Sequence, residues 1–333
     1  MTTYNGRPAK IVLAKDVTEQ VKAERELKLS EQKFKALVQE GTDMISVLDS
    51  DGFFNYTSPN FQEITGWSTG ELHRKNAFDF IHSDDLQQVK QVFEQVIKEG
   101  KGKTEPFRFQ HKEGHWLWIE SNGSNLSESA VIDGIIVNSH DITDRHYYTK
   151  LEKLERDILE KNTLSEISYP NLVKQFLVSI VNLHPQMKCS IMQIRDEKLY
   201  NFISPSLPEE YLQEVHGAPI GPNEGSCGTA AYTKELVISE NIFKDPRWED
   251  FRHLGEQYNF SACWSQPIFN SRQQVVSTFA VYYEEPTAPS DRELNTVKRA
   301  AHILRVLYDS FEKERAEHQL VLSEQRFRSF SRR

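Results

Sequence analysis

The 333 residues, 38% hydrophobic and 27% charged with a formal net charge of -9, suit about two ordinary globular domains rather than a disordered or fibrous chain. The acidic balance excludes the basic footprint of nucleic-acid binding, and apolar runs such as Phe176–Leu183 and Val275–Tyr283 fall far short of the roughly 20 residues a membrane helix needs. Met1–Lys10 lacks the apolar stretch of a signal peptide, and three cysteines, Cys189, Cys227 and Cys263, at spacings of 38 and 36, suit reduced thiols of the cytoplasm better than a disulfide framework or a zinc knuckle.

In chain order, an apolar β-like run at Ile11–Leu13 leads through Asp16-Val17-Thr18-Glu19 into a charged helical stretch, Thr18–Gln39. Met44–Gly52 reads as a strand ending in an Asp-Gly turn, with Phe53–Thr57 as its returning partner. Asp84–Lys98 sets Leu86, Val89, Val92, Phe93, Val96 and Ile97 on a helical period, with Ser83 and Asp84 suited to its N-cap and Asp85 to its first turn. Pro106–Gln110, Trp116–Ser121 and Ile135–Asn138, divided by Lys112-Glu113-Gly114 and Asp133-Gly134, predict three antiparallel strands. Two strands, helices and three strands make an α+β unit with a cupped sheet.

Asp144–Glu166 is a second helical connector. Its Leu151, Leu154 and Ile158 form either the seam of a short coiled coil or an amphipathic face packed on the adjoining domain. The next domain is predicted to open with a helix at Asn171–Asn182, followed by strands near Cys189–Ile194 and Leu199–Ile203. The Gly/Pro-rich loop Gly217–Gly228 leads to a helix at Thr229–Thr233 and a strand at Leu236–Ser239, and paired strands Ala262–Phe269 and Val275–Tyr283 precede a closing helix from Ser290. A third connector is expected over Asn295–Phe330. The fold class is α+β: two domains, each with a central antiparallel sheet flanked by helices, joined by amphipathic or coiled-coil connector helices.

The chain also repeats itself. Leu29–Leu37, LSEQKFKAL, returns as LSEQRFRSF at Leu322–Phe330, and Asp16-Val17-Thr18-Glu19 is echoed by Asp141-Ile142-Thr143-Asp144. The chain is therefore expected to start in the last part of one repeat unit and to stop at the threshold of another.

Residues 30–146 resemble a PAS domain of the S-box type through Asp49–Gly52, Tyr56–Asn60, Ile64–Trp67 with Glu71-Leu72, Ile81–Asp85, Lys112–Gly114, Trp118–Glu120 and Asp141–Thr143. Residues 165–310 resemble a GAF domain through Gly221–Ala230, Asp245–Trp248 and Ala262–Ile268. On this resemblance, 1–18 is the remnant of a preceding PAS domain, 19–39 a connector helix, 30–146 a PAS domain with its PAC motif, and 144–166 a connector. Then come the GAF domain at 165–310 and, at 311–333, a connector with the start of a further PAS domain. Both families use a five- or six-stranded antiparallel sheet whose concave face holds small ligands, and arrays of them stand upstream of histidine kinases or similar outputs.

The resemblance implies a sensory input module of a bacterial two-component system, relaying a stimulus through connector helices to an output domain outside this chain. The alternative is a dimerising relay spacer that binds nothing. The expected PAS pocket walls are Ile45, Val47, Phe61, Ile64, Phe80, Phe107 and Trp118; the expected GAF pocket walls are Phe202, Trp248, Cys263, Trp264 and Phe279; Asp141, Ile142 and Thr143 are the expected relay. For each of these the plain alternative is a core residue. A homodimer through the connector helices is the expected assembly.

No catalytic residue, metal or cofactor is assigned, and an unidentified small molecule is the occupant the pockets would take. His82 belongs to a helix cap of ordinary PAS type rather than a haem site, and Arg74–Phe80 lacks the cysteine of the light-sensing flavin subclass. Neither a bilin-attachment nor a cyclic-nucleotide pattern is present in the GAF segment. One enzyme stays open, the GAF-type free methionine-R-sulfoxide reductase, which pairs thiols as Cys227 and Cys263 would be paired; Trp264 replaces its acidic residue, and Arg247–Asn259 lengthens the intervening segment. Motifs for metalloprotease, nucleotide-loop or serine-hydrolase chemistry are absent, as are a phosphoacceptor histidine box and an ATP site.

Overall fold

The computed structural model describes residues 2–4, 7–9, 15–39, 41, 43–127, 132–164 and 167–330. It divides into two compact units, 1–146 and 147–333. The strand expected at Ile11–Leu13 lies outside the described residues.

In the first unit β1 (Thr2–Tyr4) and β2 (Arg7–Ala9) pair antiparallel. Helix α1 (Thr18–Gln39) starts where the Asp16 carboxylate accepts the Thr18 N–H at 2.9 Å. Then β3 (Met44–Leu48) and β4 (Phe54–Thr57) form the expected hairpin. Its turn is closed by Asp49 Oδ1, which accepts the N–H groups of Asp51 and Phe53, while Gly52 supplies a φ of +87°.

Two short helices follow, α2 (Pro59–Thr65) and α3 (Thr69–Leu72), the latter opened by a Ser68–Glu71 capping box. A 3-10 turn at Ala77–Phe80 precedes α4 (Leu86–Glu99). Ser83 and Asp84 do not cap α4: the helix starts after a His82–Asp85 turn, and Asp85 stands before it rather than in its first turn. The Asp85 carboxylate is instead drawn to Arg108, whose Nε donates to it at 2.8 Å and which holds its carboxyl below the usual carboxylate range.

The sheet is completed by β5 (Lys101–Lys103), β6 (Phe107–Gln110), β7 (Trp116–Asn125) and β8 (Ile135–Asp141), in the order β4-β3-β8-β7-β5 with β6 paired to β7. The three-residue β5 was not legible in the sequence. From β8 the chain enters α5 (Thr143–Leu164).

In the second unit α6 (Tyr169–Leu183) precedes β9 (Lys188–Arg195) and β10 (Lys198–Ile203). After α7 (Glu209–Glu214) and β11 (Ala218–Pro219), α8 (Gly225–Thr233) begins inside the stretch expected to be loop, and β12 (Val237–Ser239) follows it. A 3-10 turn at Pro246–Phe251 and α9 (Arg252–Tyr258) lead to β13 (Ala262–Phe269), β14 (Val275–Tyr283) and the 40-residue α10 (Asp291–Phe330). All six strands pair antiparallel in the order β11-β10-β9-β14-β13-β12.

One face of this sheet carries α5, α6 and α10. Trp264, Phe176, Phe279, Leu177 and Ile180 are fully buried there, each burial contributing about 1.5–3 kcal/mol for an aliphatic or Phe side chain. Leu151 and Ile158 are buried in the same core and Leu154 packs against it, so the apolar seam of α5 is covered by its own unit. A bidentate Glu155–Arg299 ion pair, with N–O distances of 2.8 and 2.6 Å, ties α5 to α10.

Beneath these helices the Tyr147 hydroxyl meets both Thr296 of α10 and His184 Nε2, the latter at 2.6 Å, with Glu293 and Arg292 as the charges facing the imidazole. Burial pushes the His184 imidazole below its ordinary value. The unfolded chain therefore takes up a proton near pH 6.5 that the folded unit refuses, so stability is complete above that pH and falls as the pH drops below it. Unfolding free energy of the chain should decline by up to about 1.4 kcal/mol per pH unit as the pH falls below about 6.5, and His184→Gln should reduce that slope; equal slopes in both proteins would contradict it.

Candidate functional site

The concave face of the first sheet encloses a cavity of about 80 Å³, room for several waters or one small apolar molecule. Met44, Ser46 and Leu48 of β3, Ile119 and Ser121 of β7, and Ile135, Val137 and Ser139 of β8 form its floor, while Val89, Val92, Phe93 and Val96 of α4 roof it. Hydroxyls interrupt the apolar wall. Ser121 and Ser139 share a hydrogen bond of 2.7 Å, and Thr104 Oγ1 accepts the Ser121 N–H at 2.9 Å. Gly102 and Gly123 allow α4 to lie close: a Cβ at either would come within 2.9 Å of Val96.

Of the residues expected here, Phe61 and Phe107 line the cavity. Phe80 belongs to the same core, stacked on Phe109 at 5.6 Å, and Ile64 packs against it. Ile45 and Val47 alternate with the floor residues of β3 and so occupy its other face, as Trp118 does on β7.

Trp118 belongs instead to the junction between sheet and helix. Its ring stacks on His146 at 3.8 Å, its backbone N–H donates to Thr143 Oγ1 at 2.9 Å, and its carbonyl accepts the Ile142 N–H at 2.8 Å. Asp141 Oδ1 accepts the Thr143 N–H at 2.8 Å, and Ile142 is buried. The Asp141-Ile142-Thr143 segment thus fastens the start of α5 to β7, a strand that also forms cavity wall. β8 runs from that wall, at Ile135, to Asp141 itself.

In the second unit a smaller cavity, about 40 Å³, lies on the sheet face opposite α6 and α10. Trp248, Ser226, Cys227, Tyr211 and Tyr282 are among its walls. Trp248 Nε1 donates to Ser226 Oγ at 2.9 Å, and that hydroxyl also reaches the Cys263 carbonyl at 2.9 Å and Ser239 Oγ at 3.0 Å. Cys263 is buried in the core behind this cavity, whereas Trp264 and Phe279 point to the helix-covered face and Phe202 packs there against Tyr169 at 5.4 Å. Consecutive residues of one strand cannot both face one pocket.

Cys227 of α8 meets Cys263 of β13. The neighbouring Cys263 thiol holds the Cys227 thiol below its ordinary value, with the Tyr282 hydroxyl 3.9 Å from the Cys227 sulfur, while burial pushes Cys263 up. The two thiols are thus shifted in opposite directions. Cys189 is buried on the other face, and burial pushes its thiol up to about 12.

Among the described residues no helix is long and apolar enough to cross a membrane. A family model described as PAS fold matches residues 54–137, and one described as GAF domain matches residues 167–307. The methyl sulfide methyltransferase-associated sensor of Methanosarcina acetivorans is 30% identical over 263 residues, covering 75% of this chain and 25% of that protein. The chain thus spans about a quarter of that relative's length. The PAS domain of a protein from Colwellia psychrerythraea is 25% identical, covering 35% of this chain and 98% of its own, with a TM-score of 0.31. The chromophore-binding domain of a bacteriophytochrome from R. palustris is 9% identical, covering 82% of this chain and 94% of its own, with a TM-score of 0.38.

Proposed function

The chain carries a PAS fold followed by a GAF domain, and we propose that it is the input module of a cytoplasmic signal-transduction protein, a two-component sensor kinase whose output domain lies outside these residues. The observation that supports this is the shared use of β7 and β8, which wall the first cavity and also hold the Asp141–Thr143 segment that fastens α5. Occupancy of the cavity shifts the packing of those strands, and the shift reaches the helix through Trp118, Ile142 and Thr143. A coupling of about 1–3 kcal/mol, roughly 5- to 150-fold, suffices for regulation. The relative described as a sensor agrees with this reading.

The module works as a homodimer. Because Leu151, Leu154 and Ile158 are taken up by the core of their own unit, the pairing surface is assigned to the distal part of α10, where Leu320, Val321 and Leu322 are exposed.

Native mass spectrometry of freshly purified chain tests both statements. The expected result is a dimer carrying a small apolar adduct, without a visible absorption band. A bare dimer would favour the ligand-free relay spacer, and a monomer at tens of micromolar would refute the assembly. The meeting of Cys227 with Cys263 favours one further reading, reduction of free methionine R-sulfoxide by the GAF unit. Thioredoxin-linked NADPH consumption on that substrate is its measurement.

A further inference from the structure

The turn joining β6 to β7 brings two imidazoles and a carboxylate together in a way that neither cavity uses. His111 and His115 flank the turn, and the His111 N–H donates to the His115 carbonyl at 2.8 Å, closing the hairpin. Their rings stack at 4.1 Å with planes 23° apart. Glu113 stands between them, its carboxylate 3.9 Å from His111 Nδ1, and one donor atom from each of the three residues lies within 4.8 Å of the others.

We propose that His111, Glu113 and His115 bind a divalent transition-metal ion of the zinc or nickel class. Two imidazole nitrogens and one carboxylate oxygen are the donor set of borderline metals, whereas calcium and magnesium take oxygen ligands alone. Three protein ligands leave a coordination position open to water or a partner's side chain. Around a tetrahedral zinc with Zn–N bonds of about 2.1 Å, neighbouring donors sit about 3.4 Å apart. Closing from 4.8 Å takes rotation of the exposed Glu113 and His115 side chains, and ligation through His111 Nδ1 displaces the Glu113 N–H that this nitrogen accepts at 3.1 Å.

The backbone beneath the site is already fixed. Lys112 N–H donates to the Thr65 carbonyl at 3.0 Å, Lys112 Nζ reaches both Glu71 carboxylate oxygens at 2.7 and 2.9 Å, and Trp67 Nε1 donates to the Gln110 carbonyl at 2.9 Å. Gly114 supplies the left-handed φ of +91° that the turn needs, and Gly66 leaves space for the His111 ring, since a Cβ there would stand 3.0 Å from Nε2. The ordering entropy of this loop is therefore largely spent on folding rather than on metal capture.

Calorimetric titration of the tag-free chain with zinc and nickel chloride tests the site, with cobalt(II) absorption as a second readout. One equivalent of zinc is expected to bind; His111→Ala and His115→Ala should each weaken it at least about tenfold, and Glu113→Gln by less. Cobalt should show ligand-field bands without a thiolate charge-transfer band, which separates this site from the cysteines. His115 is exposed, so His115→Ala should keep the unfolding temperature of the metal-free chain. Absence of saturable binding, a thiolate band that accounts for all the cobalt, or unchanged affinity in the His111→Ala/His115→Ala double variant would overturn the proposal.

Discussion

Replacing Phe61 by alanine is expected to destabilise the first unit by about 3–5 kcal/mol, read as a lower urea midpoint at unchanged slope. Phe61 is 4% exposed and sets its ring edge-on to Phe54 and Phe109, at centroid distances of 5.7 and 5.8 Å. Its loss removes apolar contacts and leaves a void continuous with the existing cavity of about 80 Å³. Buried apolar voids of roughly 150 Å³ stay dry and accept benzene-sized molecules. Saturating benzene should therefore restore part of the variant's stability, about 2.7 kcal/mol at a hundred times its dissociation constant, and stabilise the variant more than the parent chain. A cost below about 1 kcal/mol would mean that this ring is not the packed wall described above.

Trp248→Ala should cost the second unit a similar amount, about 3–5 kcal/mol, because the indole is 3% exposed and its N–H is the donor that orients the Ser226 hydroxyl. Trp248→Phe separates the two contributions. It keeps most of the apolar volume but leaves Ser226 with one partner fewer, a loss of about 1–3 kcal/mol. Because the ring and Cys227 wall the same cavity, the alanine variant should also alkylate faster at Cys227. Unchanged thiol reactivity together with a full loss of stability would indicate that the cavity collapses rather than opens.

Much of this architecture could be read in advance, and the failures share one cause. The hairpin of β3 and β4 followed from Asp49 to Gly52, and α1 from its charge pattern, because both signals are local. The cavity walls were harder. Reading apolarity alone selects Ile45 and Val47 over Ser46, and Trp118 over Ser121, yet the concave face is partly built from hydroxyls that satisfy one another. In the second sheet, apolarity alone groups Cys263 with Trp264, but strand alternation sends them to opposite faces. Helices α7 and α9 were invisible because such short pieces form only where residues such as Tyr211 and Leu254 find a core.

The Gly-Ser-Cys-Gly-Thr-Ala run was recognisable as a motif, but its physical reason appears only in three dimensions. A Cβ on Gly228 would stand 2.9 Å from the Pro219 carbonyl and 2.6 Å from the Glu224 Cβ, so the glycine sets how closely α8 can approach β11. That closeness carries Cys227 to the sheet. The His111, Glu113 and His115 triplet carries no signal as letters, since a two-residue alternation has no meaning until the turn closes.

The long closing helix has the proportions of a lever. Phe311 stacks on Tyr169 at 4.6 Å, and from Lys313 to Gln325 the side chains are exposed. At 1.5 Å per residue, the stretch from Glu312 to Phe330 is about 27 Å long. Each degree of tilt at its base displaces the tip by about 0.5 Å. A tilt of about three degrees at the base would move the segment that repeats the sequence of α1 by about a bond length.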